Sequence, residues 1–312
     1  MIPSATTSVD PVVQATGLVK RFGQVLALDG LDLTVVPGEV HGFLGPNGSG
    51  KSTTIRAVLG QLRLDAGSLR VLGQDPWRDA VPIHRRLAYV PGDVTLWPGL
   101  TGGECIDLLG RLQGQRNERR RADLVERFDF DPTRRTRGYS KGNRQKVALI
   151  AALATNAEFL LLDEPTAGLD PLMEAQFQAC VREATVRGQT VLLSSHLLGE
   201  VEALCDRVTI LRRGRTVRTG TLTELHARTT TSVEVVTPAV ISDLRAWVGV
   251  SDVDEHRERA GVHARMRVSA EALIDVIGAL AGLRPTTFVV HPPDLETVFL
   301  EQYRDEPAAA SP

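Results

Sequence analysis

Aromatic residues are scarce in this sequence, with eight Phe, three Tyr and three Trp making up 4% of 312 positions. That is few for a protein that stacks nucleic-acid bases on aromatic platforms. An excess of one charge is also missing. Lys and Arg number 36 against 38 Asp and Glu, a formal net charge of -2. General attraction to nucleic acid is thereby excluded, and only a local basic patch is left to weigh. Cysteine is nearly absent: Cys105, Cys180 and Cys205 are scattered and odd in number. They match neither a disulfide framework nor the close pairs of a zinc site, so a reducing cytosol is the simplest compartment. The longest apolar run, from Val147 to Ala154, is far short of the roughly 18 residues of a spanning helix. The N-terminal MIPSATTSVDP has no basic region followed by an apolar stretch, as a signal peptide would. The expectation is a chain that does not cross a membrane by itself.

What is present reads as a globular protein of about two domains. Charged residues at 24% fit neither a disordered nor a membrane-embedded chain. Residues 1–11 are small and polar, and are expected to be disordered. Strand-like runs then alternate with helical patterns: Leu31–Val36, Glu39–Leu44, Leu87–Val90, Phe159–Leu162 and Thr190–Ser194 as strands, and Lys51–Leu62, Thr101–Leu112, Met173–Arg187 and Leu197–Cys205 as helices. Phe159-Leu-Leu-Leu162 is continuously apolar, as in a strand buried on both faces. The alternation predicts an α/β fold with a parallel sheet covered by helices over 12–225. Within it, about 102–150 reads as a helical subdomain rich in arginine. Interleaved acids such as Asp107, Glu118, Asp123 and Glu126 favour a solvated helical face there over a nucleic-acid patch. Over 230–305 the order β-α-β-β-α-β predicts a small α+β domain of ferredoxin-like type. It includes helices at Ile241–Val248 and Asp294–Tyr303, and a flexible tail follows at 306–312.

Three segments carry chemistry. Gly45-Pro-Asn-Gly-Ser-Gly-Lys-Ser52 fits the phosphate-loop pattern between an expected strand and an expected helix. Its glycines let backbone N–H groups curl around phosphate oxygens at a helix N-terminus. Lys51 suits the β- and γ-phosphates, and the Ser52 hydroxyl is a hard ligand for Mg2+. The competing reading is an ordinary glycine-rich turn. Asp163 and Glu164 follow the buried Phe159 strand, at the end where parallel sheets bind ligands. Asp163 is suited to hold Mg2+ through water and Glu164 to polarise an attacking water, the alternative being two solvated acids at a strand end. Third, Tyr139-Ser-Lys-Gly-Asn143 precedes an apolar helix, with Ser140 as N-cap and a free Gly142 amide, a second anion-binding helix start.

These segments, with Leu162-Asp-Glu-Pro165, Ala167-Gly-Leu-Asp170 and Ser194-Ser-His196, occur in an order that resembles the nucleotide-binding subunit of an ATP-binding cassette (ABC) transporter. The resemblance covers about Val12 to Leu225. Leu18-Val-Lys-Arg-Phe22, Gly42-Phe-Leu-Gly-Pro-Asn47 and Asp294-Leu-Glu-Thr-Val-Phe-Leu300 are similar to the ATPase subunits of bacterial type-2 exporters. The Arg- and Ala-rich composition and Tyr89–Trp97 resemble actinobacterial drug-efflux subunits.

The resemblance implies a P-loop ABC cassette with a helical subdomain, using ATP and Mg2+. Gly45, Pro46, Asn47, Gly48, Ser49, Gly50, Lys51, Ser52 and Thr53 would cradle the phosphates. Phe22 would stack on adenine where the family more often has Tyr, although a core Phe is the plain alternative. Glu164, His196 and Lys51 would be catalytic; His196 matches the switch histidine, or else simply neighbours a helix start. Ser140 and Gly142 would face the phosphate of a second cassette, and Asp170 would couple the two sites. Implied partners are an integral-membrane permease and a second cassette in a homodimer, with no nucleic acid, at the cytoplasmic face of the membrane. Two departures stand out. Lys141 and Asn143 replace a glycine and a glutamine of the usual signature. Gly92 occupies the place of a magnesium-ligating Gln, leaving Asp93 as the candidate metal ligand. Leu96 and Trp97 would anchor the permease, or else lie under a covered loop. Other classes weighed are a soluble ATPase acting on nucleic acid or ribosomes, an importer subunit, and a C-terminal ligand sensor or dimerisation module.

Overall fold

The structure is a computed structural model that describes residues 10–113, 117–226, 230–238, 241, 246–258 and 261–291. The chain divides into two compact units after Gly220.

The first unit begins with β1 (Val13–Phe22) and β2 (Val25–Val35), followed by β3 (Val40–Leu44), α1 (Lys51–Val58), β4 (Ala66–Val71), α2 (Ala80–His84) and β5 (Leu87–Val90). Helices α3 (Gly102–Gln113), α4 (Glu118–Arg127) and α5 (Lys141–Leu153) come next. The remainder is β6 (Phe159–Asp163), α6 (Pro171–Val186), β7 (Thr190–Ser195), α7 (Leu198–Leu204), β8 (Arg207–Arg212) and β9 (Arg215–Thr221). Six strands form one sheet in the order β5-β6-β7-β3-β8-β9. Neighbours from β5 to β8 are parallel, as the continuous apolar runs of β6 and β7 require for strands covered on both faces.

A second sheet, β2-β1-β4, is antiparallel. In β1, buried Val13 and Ala15 alternate with exposed Gln14 and Thr16, the period of a half-buried strand. Its inner face shares one core with Phe43 of β3, Ile55 and Val58 of α1, and Leu161 and Leu192 of the parallel sheet. The sequence predicted a single parallel sheet and no strands at β1, β4, β8 or β9.

In the arginine-rich helical stretch, three side chains are engaged by partners in their own chain. Arg121 pairs with Asp107 at 2.6 Å and Arg127 with Glu183 at 2.9 Å, while Arg120 donates to the Thr155 carbonyl at 2.7 Å. Such internal partners leave these three arginines engaged rather than facing outward as a phosphate-binding row.

The second unit contains α8 (Leu222–His226), β10 (Thr231–Thr237), β11 (Val250–Glu258), β12 (Gly261–Val268), α9 (Leu273–Gly282) and β13 (Thr287–His291). Its sheet runs β11-β12-β10-β13, antiparallel throughout. Val233, Val235, Ala264, Met266 and Val268 pack there with Val276 and Leu280 of α9. The expected helix Asp294–Tyr303, the 294–300 motif, the 306–312 tail and half of the expected helix Ile241–Val248 lie outside the described residues, as do residues 1–9 of the expected N-terminal disorder. Among the described residues, no helix is long and apolar enough to cross a membrane.

Candidate functional site

The register of the parallel sheet decides which loops meet. Leu44 at the end of β3 lies beside Ser195 of β7, and Asp163 at the end of β6 lies beside Ser194. Three strand ends therefore open on one edge, where ligands of open parallel sheets bind. From β3 the chain turns through Gly45–Gly50 into α1. Gly48 (φ 80°) and Gly50 (φ 110°) take left-handed conformations there, and Gly50 is the N-cap of α1 without a side-chain cap. The amides at this helix start are thus free to face an anion.

Lys51 is buried, and its ammonium donates to the carbonyls of Gly45 (2.5 Å) and Pro46 (3.2 Å). Burial lowers its pKa from the usual lysine value, while Glu164 and Asp163 oppose that shift. The Ser49 hydroxyl is buried without a hydrogen-bond partner among the described residues. A cavity of about 300 Å3 is lined by Pro46, Asn47, Gly48, Gly50, Lys51, Ser52 and Thr53, by Val25, Leu26 and Ala27 of β2, and by Glu164. Cavities of this size hold small ligands. Free helix-start amides, a buried ammonium and the Ser52 hydroxyl together suit a phosphate chain with a hard cation.

Asp163 accepts a hydrogen bond from the Ser194 hydroxyl at 2.6 Å. Burial raises its pKa above the usual Asp value; the Ser194 bond and Lys51 pull the other way, and Glu164 adds to the rise. Glu164 holds φ at 46°, uncommon for a residue with a side chain, and its amide donates to the Ser194 carbonyl at 2.9 Å. This places its carboxylate 3.1 Å from Nδ1 of His196. The pair is partly exposed, as groups that meet a substrate must be.

Phe22 is 47% exposed, which removes the core-Phe alternative. It stands opposite Val25, a residue of the cavity wall, and Lys20 Nζ lies 5.5 Å from its ring centroid. Ser140 caps α5, accepting from the Asn143 amide at 3.2 Å. A Cβ at Gly142 would stand 2.5 Å from the Gly168 carbonyl, so this turn packs on the chain's own loop after β6. Asp170 caps α6 by accepting from the Met173 amide at 3.0 Å. Ser140, Gly142 and Asp170 do not line the 300 Å3 cavity. Gly92 lies against the end of β6, where a Cβ would meet the Asp163 carbonyl at 3.3 Å. Asp93 next to it is exposed. Trp97 is 46% exposed, a rim residue rather than a covered one.

Sequence reasoning did not single out Val25–Ala27, Ser195 or Glu200 as functional. Glu200 had a legible signal, an acid four residues after His196 within an otherwise apolar helix start.

A family profile described as ABC transporter matches residues 28–167. The chain is 40% identical over 311 residues to a daunorubicin resistance ATP-binding protein of Streptomyces coeruleorubidus, covering 95% of this chain and 97% of that protein. It is 28% identical to a linearmycin resistance ATP-binding protein of Bacillus subtilis (strain 168), covering 93% of this chain and 97% of that one. Among solved structures, an ATP binding subunit of an ABC transporter superposes with a TM-score of 0.66 at 29% identity, over 69% of this chain and 92% of that one.

Proposed function

The chain belongs to the ABC transporter family, and from that premise we propose that it binds and hydrolyses ATP to power export of a drug or antibiotic through a separate permease. The observation that carries the reading is the phosphate-loop cavity with Glu164 on its wall and His196 hydrogen-bonded to Glu164. The drug class is supported by relatives named for daunorubicin and linearmycin resistance.

In this proposal Gly45–Thr53 bind the phosphates, Lys51 offsets charge on the γ-phosphate, and the exposed Phe22 ring stacks on adenine. Ser52 and Asp163 would hold Mg2+, which would supply positive charge against the phosphate oxygens. The position of Asp93 beside Gly92 makes it a further candidate ligand. Glu164 accepts a proton from the attacking water and His196 fixes the Glu164 carboxylate. A second copy of the chain closes the site with Ser140 and Gly142, and the contact of Gly142 with the Gly168 loop links that surface to Glu164 and Asp170 in the same chain.

The domains assigned are a cassette over 12–225, with its helical subdomain at about 102–150, and an accessory domain over 230–305. In chain order its strands stand 2-3-1-4 across the sheet, which supports a ferredoxin-like class. The assigned location is the cytoplasmic face of the membrane, with Leu96 and Trp97 toward the permease.

The test is to isolate the tagged chain from detergent-solubilised membranes of its native cell. The expected result is a multispanning polypeptide recovered in stoichiometric amount. Recovery only in the soluble fraction, bound to ribosomes or nucleic acid, would overturn the transport reading.

A further inference from the structure

Two loops converge at the site, the one after β6 that carries Glu164 and the turn after β7 that carries His196. Their separation sets the 3.1 Å contact between the two side chains. Beneath them lies an ionisable group with no part in the scheme above. Glu200, in the first turn of α7, is only 8% exposed. Its Oε2 accepts from the Ser195 hydroxyl at 2.5 Å, and Ser195 Oγ in turn accepts from the Leu197 amide at 3.0 Å. That pair of bonds braces the turn on both sides of His196. His196, held in that turn, is the residue whose Nδ1 meets the Glu164 carboxylate. The other carboxylate oxygen of Glu200, Oε1, has no hydrogen-bond partner among the described residues.

Burying a carboxylate with one oxygen unsatisfied is costly, and a Leu or Met at this spacing would serve a mere packing role better. The helix that carries Glu200 has little freedom to shift. At Gly42 of β3, a Cβ would meet Val201 Cγ1 at 2.9 Å and Cys205 Sγ at 3.0 Å, so α7 lies close on the strand.

We infer that Glu200 is a positioning residue for hydrolysis: its buried carboxylate clamps the His196 turn through Ser195, and His196 in turn holds the Glu164 carboxylate. The catalytic half of this inference rests on the ATPase reading proposed above; the clamp itself does not. Hydrolysis is sensitive to the placement of Glu164, and displacement by about 1 Å is enough to cost up to about a hundredfold in rate. Binding of ATP depends on the phosphate loop and is untouched by the clamp.

The experiment compares the full chain with Glu200→Ala and Glu200→Gln, by hydrogen–deuterium exchange without nucleotide and by steady-state ATP hydrolysis. In Glu200→Ala, faster exchange is expected only in the segment at 195–199, while kcat falls about tenfold or more and KM stays within about twofold. Glu200→Gln keeps a hydrogen-bonding side chain of the same length and restores both. Unchanged exchange in this segment, or faster exchange that spreads to β1 and β2, overturns the clamp. A kcat loss that Gln does not rescue overturns the positioning role. A wild-type chain that hydrolyses no ATP, with the exchange result intact, overturns the ATPase reading and with it the catalytic half, while the clamp stands.

Discussion

Asp163 sits where burial opposes its charge, and its raised pKa gives that opposition a sign. Between the ordinary Asp value and the raised one, the folded chain binds more protons than the unfolded chain. Stability therefore falls as pH rises through that interval, and ionised Asp163 is a cost at neutral pH. A nearby cation would relieve that cost. Asp163→Asn, which can still accept from Ser194, is expected to raise stability at pH 7 by about 1 kcal/mol in protein freed of nucleotide and divalent cations. The gain should vanish as pH falls to the ordinary Asp range, and Mg2+-dependent turnover should be lost. Urea unfolding at several pH values checks this, and a variant less stable at pH 7 would contradict it. Lys51 is shifted downward mainly by burial, with the two acids as partial compensation. The site keeps its charges near one another at a cost in stability, as functional sites often do.

At the scale of elements, the ends of β3, β6 and β7 and the helices that leave them fix the geometry. Close packing of α7 on β3 depends on Gly42. Gly42→Val would overfill that contact and cost about 1–3 kcal/mol, seen as a lower urea midpoint, with ATP turnover reduced because α7 underlies the His196 turn. An unchanged midpoint would show that the contact has slack. The strands around the site were legible because β3, β6 and β7 are short apolar runs bounded by Gly, Pro or charge. β1 and β4 were not, since β1 is a half-exposed strand interrupted by Gly17 and carries Lys20 and Arg21. The hairpin of β8 and β9 had a readable turn, Arg213-Gly214 with both φ positive, hidden among its arginines. Phosphate loop, Asp163, Glu164 and His196 could be placed from local motifs. The bonds of Ser194, Ser195 and Glu200 arise from strand register and helix packing, and local spacing carries little of either.

At the scale of the whole molecule, two units follow one another in the chain. The first holds every residue assigned to nucleotide chemistry, and the second has a core of its own around Val235, Met266 and Leu280. The low aromatic content remains informative at this scale, since Phe22 and Trp97 are two of few large aromatic side chains left exposed in the first unit. One is assigned to adenine and the other to the permease. Among the described residues no helix is long and apolar enough to cross a membrane, and in the proposed transport scheme the Glu164 site is the source of the work. The most direct test is the Glu164→Gln variant of the full chain, measured for ATP affinity and for Mg2+-dependent turnover. The expected result is ATP binding at the wild-type level with kcat lower by about a hundredfold or more. Turnover near the wild-type rate would remove Glu164 from catalysis and contradict the account.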